Sequence, residues 1–214
     1  MADWTGYFPS AGVAPHDCAY SATWTDTTAT VRYPGLTTRG STDIAAQQCH
    51  KTAANIKGLG GQWVFPAQAA RNFTTADTFD FVFPCADSAG SGMTYLYLVI
   101  RVFNAAGDTV VGTLYDGRVN SVLMASSICS RFCSGVSVQN NVALPENGHI
   151  VVEVGVDDAY AATFNNPIYP QDLGISGALP LNNTDTSQQK YPWLAFTYGA
   201  AGGATNVVYM VFES

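Results

Sequence analysis

The sequence predicts an all-β protein: an antiparallel β-sandwich of jelly-roll type, with roughly eight to ten strands and at most one short helix. Three observations predict it. Apolar residues recur with period two over several short runs, the densest of them between Met93 and Val156. Those runs are punctuated by Gly, Asp and Asn turns, with no alternation of strands and helices that would signal a parallel sheet. Thirteen of the 16 acidic residues are Asp, and only Glu146, Glu153 and Glu213 are Glu; Asp favours turns where Glu favours helices.

Taken in order, residues 1–17 are aromatic, Gly- and Pro-containing and without period. They read as an N-terminal arm, or an irregular lead-in strand, ahead of a single domain over 18–214. Trp4, Tyr7 and Phe8 carry too much apolar area to leave in water. They are therefore candidate assembly contacts, packing on their own domain or on a neighbour. Tyr20 to Tyr33 is rich in Thr and aromatics, as strands are, and Pro34-Gly35 ends it. The spacing predicts a helix over 42–57: Thr42 or Asp43 can cap it, Gly58 can stop it, and Ile44, Ala45, Cys49, Ala53 and Ile56 give a weak stripe.

Strands follow. Gln62–Pro66 is short. In Asp77–Pro84, Phe79, Phe81 and Phe83 share one face, with Asp80 and Val82 on the other. Met93–Phe103 has Leu96, Leu98, Ile100 and Val102 on one face and Tyr95, Tyr97, Val99, Arg101 and Phe103 on the other. Both faces are largely apolar, so this is a central strand whose second face must be covered. Asn104 to Asp108 is a hairpin turn, and Thr109–Tyr115 returns. Asp116-Gly117 reads as a further turn before Arg118–Met124, then 125–135 as a loop, with weak strands at Gly135–Gln139 and Val142–Leu144. Asn147-Gly148 is a strong turn signal ahead of His149–Val156, whose buried face is Ile150, Val152, Val154 and Val156. Residues 157–192 are long, polar and rich in Asn and Pro, a length that favours a functional or interface role. Trp193–Tyr198 and Asn206–Phe212 close the chain.

Composition bounds the function. At 214 residues and 47% hydrophobic, with 11 Tyr and 11 Phe, the chain can bury a sizeable core. Only 12% of residues are charged, against about 25% in an ordinary domain. Ser, Thr, Asn, Gln and Gly, together with neighbouring subunits, must therefore cover the surface. A net charge of −7 with no basic cluster argues against a nucleic-acid partner. The opening MADWTGYFPSAG has neither a basic nor an apolar signal region, so no secretory leader is expected. No run reaches the roughly 20 apolar residues of a membrane helix.

The five cysteines, Cys18, Cys49, Cys85, Cys129 and Cys133, are odd in number and scattered. They read as buried small apolar residues or, for Cys18, Cys129 and Cys133, as members of disulfides made after release from the cell, bridges between subunits among the options. Cys129-x-x-x-Cys133 lacks the second Cys/His pair of a zinc site. No nucleophile, metalloprotease or phosphate-loop motif is present. Gly58-Leu-Gly60-Gly61 precedes a strand rather than opening a helix. His149 starts a strand, and His50 beside Cys49 does not face it on a helix. Glu153 alternates away from the buried face, so no raised carboxyl pair is expected. Asp157, Asp158, Asn182, Asn183 and Asp185 are oxygen ligands without calcium-loop spacing. No catalytic residue, metal or cofactor is expected.

One order of residues carries a resemblance. It runs Leu98-x-x-Arg101-Val102-Phe103-Asn104, Gly107, Val111-Gly112-Thr113-Leu114, then Gly148-His149-Ile150-Val151-Val152-Glu153-Val154-Gly155, then Tyr191-Pro192-Trp193-Leu194-x-Phe196. This is similar to jelly-roll accessory and decoration proteins of tailed bacteriophage virions, over about residues 77–198. The resemblance implies a non-enzymatic virion component, assembled in the bacterial host cytoplasm as a symmetric homo-oligomer, a trimer among the options. It would decorate the capsid, neck or tail alongside other virion proteins. The alternatives are a host-recognition module binding surface glycan through exposed aromatics and, more distantly, a free carbohydrate-binding domain.

Overall fold

The computed structural model describes residues 3–8, 12–28, 30–37, 47–51, 56–87, 94–124, 129–158, 164–168 and 193–199, with the backbone alone at 47–51, 56, 129–130, 158 and 164–168. The described strands are β1 (Trp4–Tyr7), β2 (Val31–Pro34), β3 (Gln47–Lys51), β4 (Ile56–Val64), β5 (Arg71–Phe73), β6 (Thr78–Cys85), β7 (Thr94–Phe103), β8 (Val110–Arg118), β9 (Cys129–Ser137), β10 (Val142–Leu144), β11 (His149–Asp158), β12 (Phe164–Ile168) and β13 (Trp193–Thr197). No helix occurs among the described residues.

Eight of these strands make a jelly roll. Counted in chain order as β3, β4, β6, β7, β8, β9, β11 and β12, one sheet holds the first, eighth, third and sixth (β3-β12-β6-β9). The other holds the second, seventh, fourth and fifth (β4-β11-β7-β8). Every one of those pairings is antiparallel. This interleaving is two Greek keys wound together. Around it, β13 and then β1 extend the first sheet beside β6, β2 adds to β4 in parallel, and β5 and β10 form a small ribbon.

Period-two patterning places the core. Phe79, Phe81 and Phe83 of β6 meet Leu96, Leu98, Ile100 and Val102 of β7 and Ile150, Val152, Val154 and Val156 of β11 in one buried cluster between the sheets. Aromatic edges lock it. Phe8 lies edge-on to Trp63, Phe65 and Phe81, with ring centroids 5.3, 5.8 and 5.8 Å apart.

The open sides of the sandwich are stitched. On one side Tyr7 and Leu36 exchange backbone hydrogen bonds of 2.8 and 3.1 Å, joining β1 of the first sheet to the chain beyond β2 of the second. On the other, Asn120 and Arg131 tie the segment after β8 to β9. β9 carries a bulge opposite Asp80. The Asp80 carboxylate accepts from Ser134 Oγ and the Gly135 amide at 2.8 and 2.7 Å, and Gly135 takes φ +63°.

Four expectations need correction. Gln47–Lys51 is not helical: it pairs antiparallel with β12, Lys51 to Phe164 and Cys49 to Asn166. A weak stripe gives a helix little to bury, whereas a strand partner completes its hydrogen bonds. Asp116-Gly117 is not a turn, because β8 runs straight through it, opposite Val99 and Leu98. Cys129 to Ser134 belongs to β9 rather than to a loop. Of the two readings of residues 1–17, arm or irregular lead-in strand, the described part departs from an arm: Trp4–Tyr7 is a sheet strand and Phe8 is core. The expected strand Asn206–Phe212, and residues 169–192 of the long polar stretch, lie outside the described residues. The chain leaves β12 at Ile168, beside Cys85, and re-enters the same edge of β6 at Trp193, beside Val82.

Candidate functional site

The second face of the central strands is covered, and the cover is the segment 14–26. Alternation sends Tyr97, Val99, Arg101 and Phe103 of β7, Val151 and Glu153 of β11, and Gln62 and Val64 of β4 away from the inter-sheet core. The segment lies across them as a strap. Cys18 packs against Val64, Phe103 and Val151, and Trp24 packs against Leu59, Tyr97 and Val99. Gly155 makes room for it: a Cβ there would lie 2.6 Å from the Trp24 ring and 2.2 Å from the carbonyl oxygen of Gly58.

Beneath the strap sits the molecule's most strongly polar interior. Glu153 is fully buried and Arg101 nearly so. Glu153 Oε1 accepts from the Arg101 guanidinium at 2.5 Å, from Gln62 Nε2 at 2.8 Å and from the Ser21 amide at 3.2 Å. Oε2 accepts from the Trp24 indole N–H at 2.7 Å. Arg101 also donates to the Ala19 carbonyl. The network reaches the surface through Arg32, which donates to Gln62 Oε1 at 3.0 Å, pairs with Asp17 and covers the Tyr20 ring. A buried carboxylate needs this density of donors to offset its lost hydration. What the arrangement does chemically is fasten the strap, because Ala19, Ser21 and Trp24 all bond to it. Burial pushes the neighbouring Cys18 thiol up to about 11, partly offset by Arg101 and Arg32.

A second polar group pins the far end of the strap. Asp116 accepts from Tyr97 Oη at 2.8 Å and from Thr23 Oγ1, and Lys57 Nζ donates to Tyr97 Oη at 2.8 Å. Burial first, and the bond to Asp116 second, raise the Tyr97 phenol well above its ordinary value. Nearby, Arg118 donates to Asp157 at 2.7 Å and lies over Tyr95. Asp157 is thus committed to an ion pair. Asp158 is described by its backbone alone, and Asn182, Asn183 and Asp185 lie outside the described residues.

The cations have a shared habit: Arg32, Lys57, Arg71 and Arg118 cover Tyr20, Tyr97, Tyr198 and Tyr95. Among the described residues no Trp, Tyr or Phe is exposed, and the large exposed apolar side chains are Val13, Val31, Val110, Val111 and Val122.

The residues singled out from the sequence fall in several places. Phe8 is core, packed on its own domain rather than on a neighbour. Trp4 packs on the core, donates to Gln68 Oε1 at 3.0 Å and lies edge-on to Phe65, and Tyr7 packs beside Val82 and Trp193. Cys18 and Cys133 are free, buried thiols; burial pushes Cys133 up to about 12. Both lie sealed inside the chain, as the buried-thiol reading of them expects and the disulfide reading does not. Cys129, described by its backbone, lies across from Cys85. His149 is buried, with Nδ1 2.8 Å from the Phe65 carbonyl oxygen and its ring 4.3 Å from that of His16. The side chains of Cys49 and His50 are not described. Sequence reasoning missed Glu153, Gln62, Trp24 and Ser21 as one cluster. The available signal was Glu153 between Val151 and Val154, with Arg101 on the matching face of the neighbouring strand.

No family model matches the chain, and no curated protein does. Among solved structures the chain is similar to one from the infectious bursal disease virus Gx strain, at 12% identity and a TM-score of 0.36. The overlap covers 76% of this chain and 31% of that one. At that score the likeness carries no weight, and the strand order itself makes the fold a jelly roll.

Proposed function

We propose that this chain is a non-enzymatic structural protein of a bacteriophage virion, decorating or reinforcing the capsid, neck or tail through contacts between subunits. One observation carries the reading: among the described residues the most chemically capable cluster, Glu153 with Arg101, Gln62 and Trp24, is sealed from solvent and spent on fastening the strap. Its role is to hold shape. The resemblance to phage accessory proteins adds support, because most of its described residues lie on β7, β8, β11 and β13, strands of both sheets, with Asn104, Gly107 and Gly148 in the connections. The low surface charge and the exposed valines suit a surface that neighbours cover.

A host-recognition module binding glycan is the competing reading, and it needs an aromatic platform. The cations over Tyr20, Tyr95, Tyr97 and Tyr198 leave it less support. Size-exclusion chromatography with light scattering, run beside a glycan array, separates the two. The structural reading expects a discrete symmetric oligomer with no glycan retained. A monomer that binds a defined glycan refutes it.

A further inference from the structure

We propose that Cys85 and Cys129 are a redox pair that closes into a disulfide across β6 and β9. The register sets the two positions directly opposite one another in an antiparallel pair. Opposed positions of that kind have Cα atoms about 4.5–5.5 Å apart, inside the range of about 4.4–6.8 Å that a disulfide spans without moving the backbone.

The same topology excludes the other pairings. Cys133 stands opposite Phe81, four residues along β9 from Cys129, which separates the two by about 13 Å. From Cys85 it is one strand across and four residues along, farther still. Cys49 is opposite Asn166 on β3, with β12 between it and β6. Two strand spacings are about 9.6 Å, already beyond bridging distance. Cys18 lies under the strap, on the outer face of the other sheet. One pair out of five cysteines is within reach, which also accounts for the odd number.

The chemistry is a thiol–disulfide exchange. A disulfide oxidant such as oxidised glutathione accepts two electrons and its S–S bond breaks. The Cys85–Cys129 S–S bond forms, and the two thiol protons end on the two glutathione thiols. In a reducing cytoplasm the pair stays as thiols, and in an oxidising medium it closes. The link closes a loop of about 45 residues that carries the β7–β8 hairpin of the opposite sheet, so it ties the two halves of the jelly roll through the chain. This holds whether or not the protein belongs to a virion.

Because Cys85 is fully buried in the folded chain, the test uses the full chain unfolded in reductant and refolded in a glutathione redox buffer until its thiol content is constant. Titration in denaturant should then show that two of the five thiols have been lost, and non-reducing peptide mapping should recover one link, 85 to 129. The oxidised protein should melt about 10 °C higher than the reduced one, reversibly with dithiothreitol. Cys133→Ser should still form the link, and Cys129→Ser should lose no thiols. Retention of all five thiols, or a link between any other two cysteines, overturns the proposal. The wild-type peptide map decides the matter even if Cys129→Ser fails to fold.

Discussion

Replacing Glu153 with Gln keeps the shape of the side chain and removes its charge. One carboxylate oxygen becomes an NH₂ group, which must face either Gln62 and Arg101 or the Trp24 indole N–H, with the Ser21 amide against both positions, and all of these are donors. Arg101 is left buried without its counter-charge, and its Nε already has no partner. Breaking a buried pair from one side costs about 3–5 kcal/mol. In a chain of this size that lowers the melting temperature by about 10 °C.

Thermal and urea unfolding, followed by circular dichroism, measure the loss. Trp24 should report it locally, with a red-shifted emission as the strap loosens. The double variant Glu153→Leu/Arg101→Met separates charge from packing. It should be less destabilised than Arg101→Met and Glu153→Leu added together, by about 2 kcal/mol. It should not return to wild type, because the Ala19 carbonyl and the Trp24 N–H lose their partners at about 1–3 kcal/mol each. A Glu153→Gln protein that melts within 2 °C of wild type, with unshifted emission, would refute the role given to the cluster.

Three further outcomes follow from the fold. Phe8→Ala should cost about 3–5 kcal/mol in urea unfolding of the isolated chain, because Phe8 is core; a change confined to self-association would restore its reading as an assembly contact. Gly155→Ala should destabilise by about 1–3 kcal/mol or more, since the new methyl meets the Gly58 carbonyl and the Trp24 ring, and an unchanged urea midpoint would contradict that packing. Alkaline pH should unfold the protein: Cys18 is raised from 9.0 to about 11, Cys133 from 9.0 to about 12, and Tyr115 and Tyr198 from 10.0 to about 12. A raised acid favours the folded state below its unfolded value, so that stability is full below pH 9 and is lost as pH climbs to about 12. A urea midpoint that stays constant from pH 9 to pH 12 would contradict this.

The inter-sheet core was legible because its strands alternate. Phe79, Phe81 and Phe83, the even-numbered row of β7, and Ile150 to Val156 all face where period two puts them. The parity of Glu153 was legible too, but not what covers it, because the strap has no period and its contacts lie far away in sequence. Gln47–Lys51 resembles a helix in its Ala- and Gln-rich surroundings, and only pairing with β12 makes it a strand. Asp116-Gly117 looks like a turn until Tyr97 and Thr23 hold the Asp116 carboxylate and the strand continues. The opposition of Cys85 and Cys129 depends on register between distant strands, which no local spacing encodes.

The virion reading meets its sharpest test in peptide mass spectrometry of gradient-purified phage particles from the source of this sequence. The structural role requires that the chain co-purify with the particles at a fixed ratio to the major shell protein, through repeated banding and salt washes. Particles complete and infectious without it, with the protein recovered only from the soluble fraction, would contradict that role.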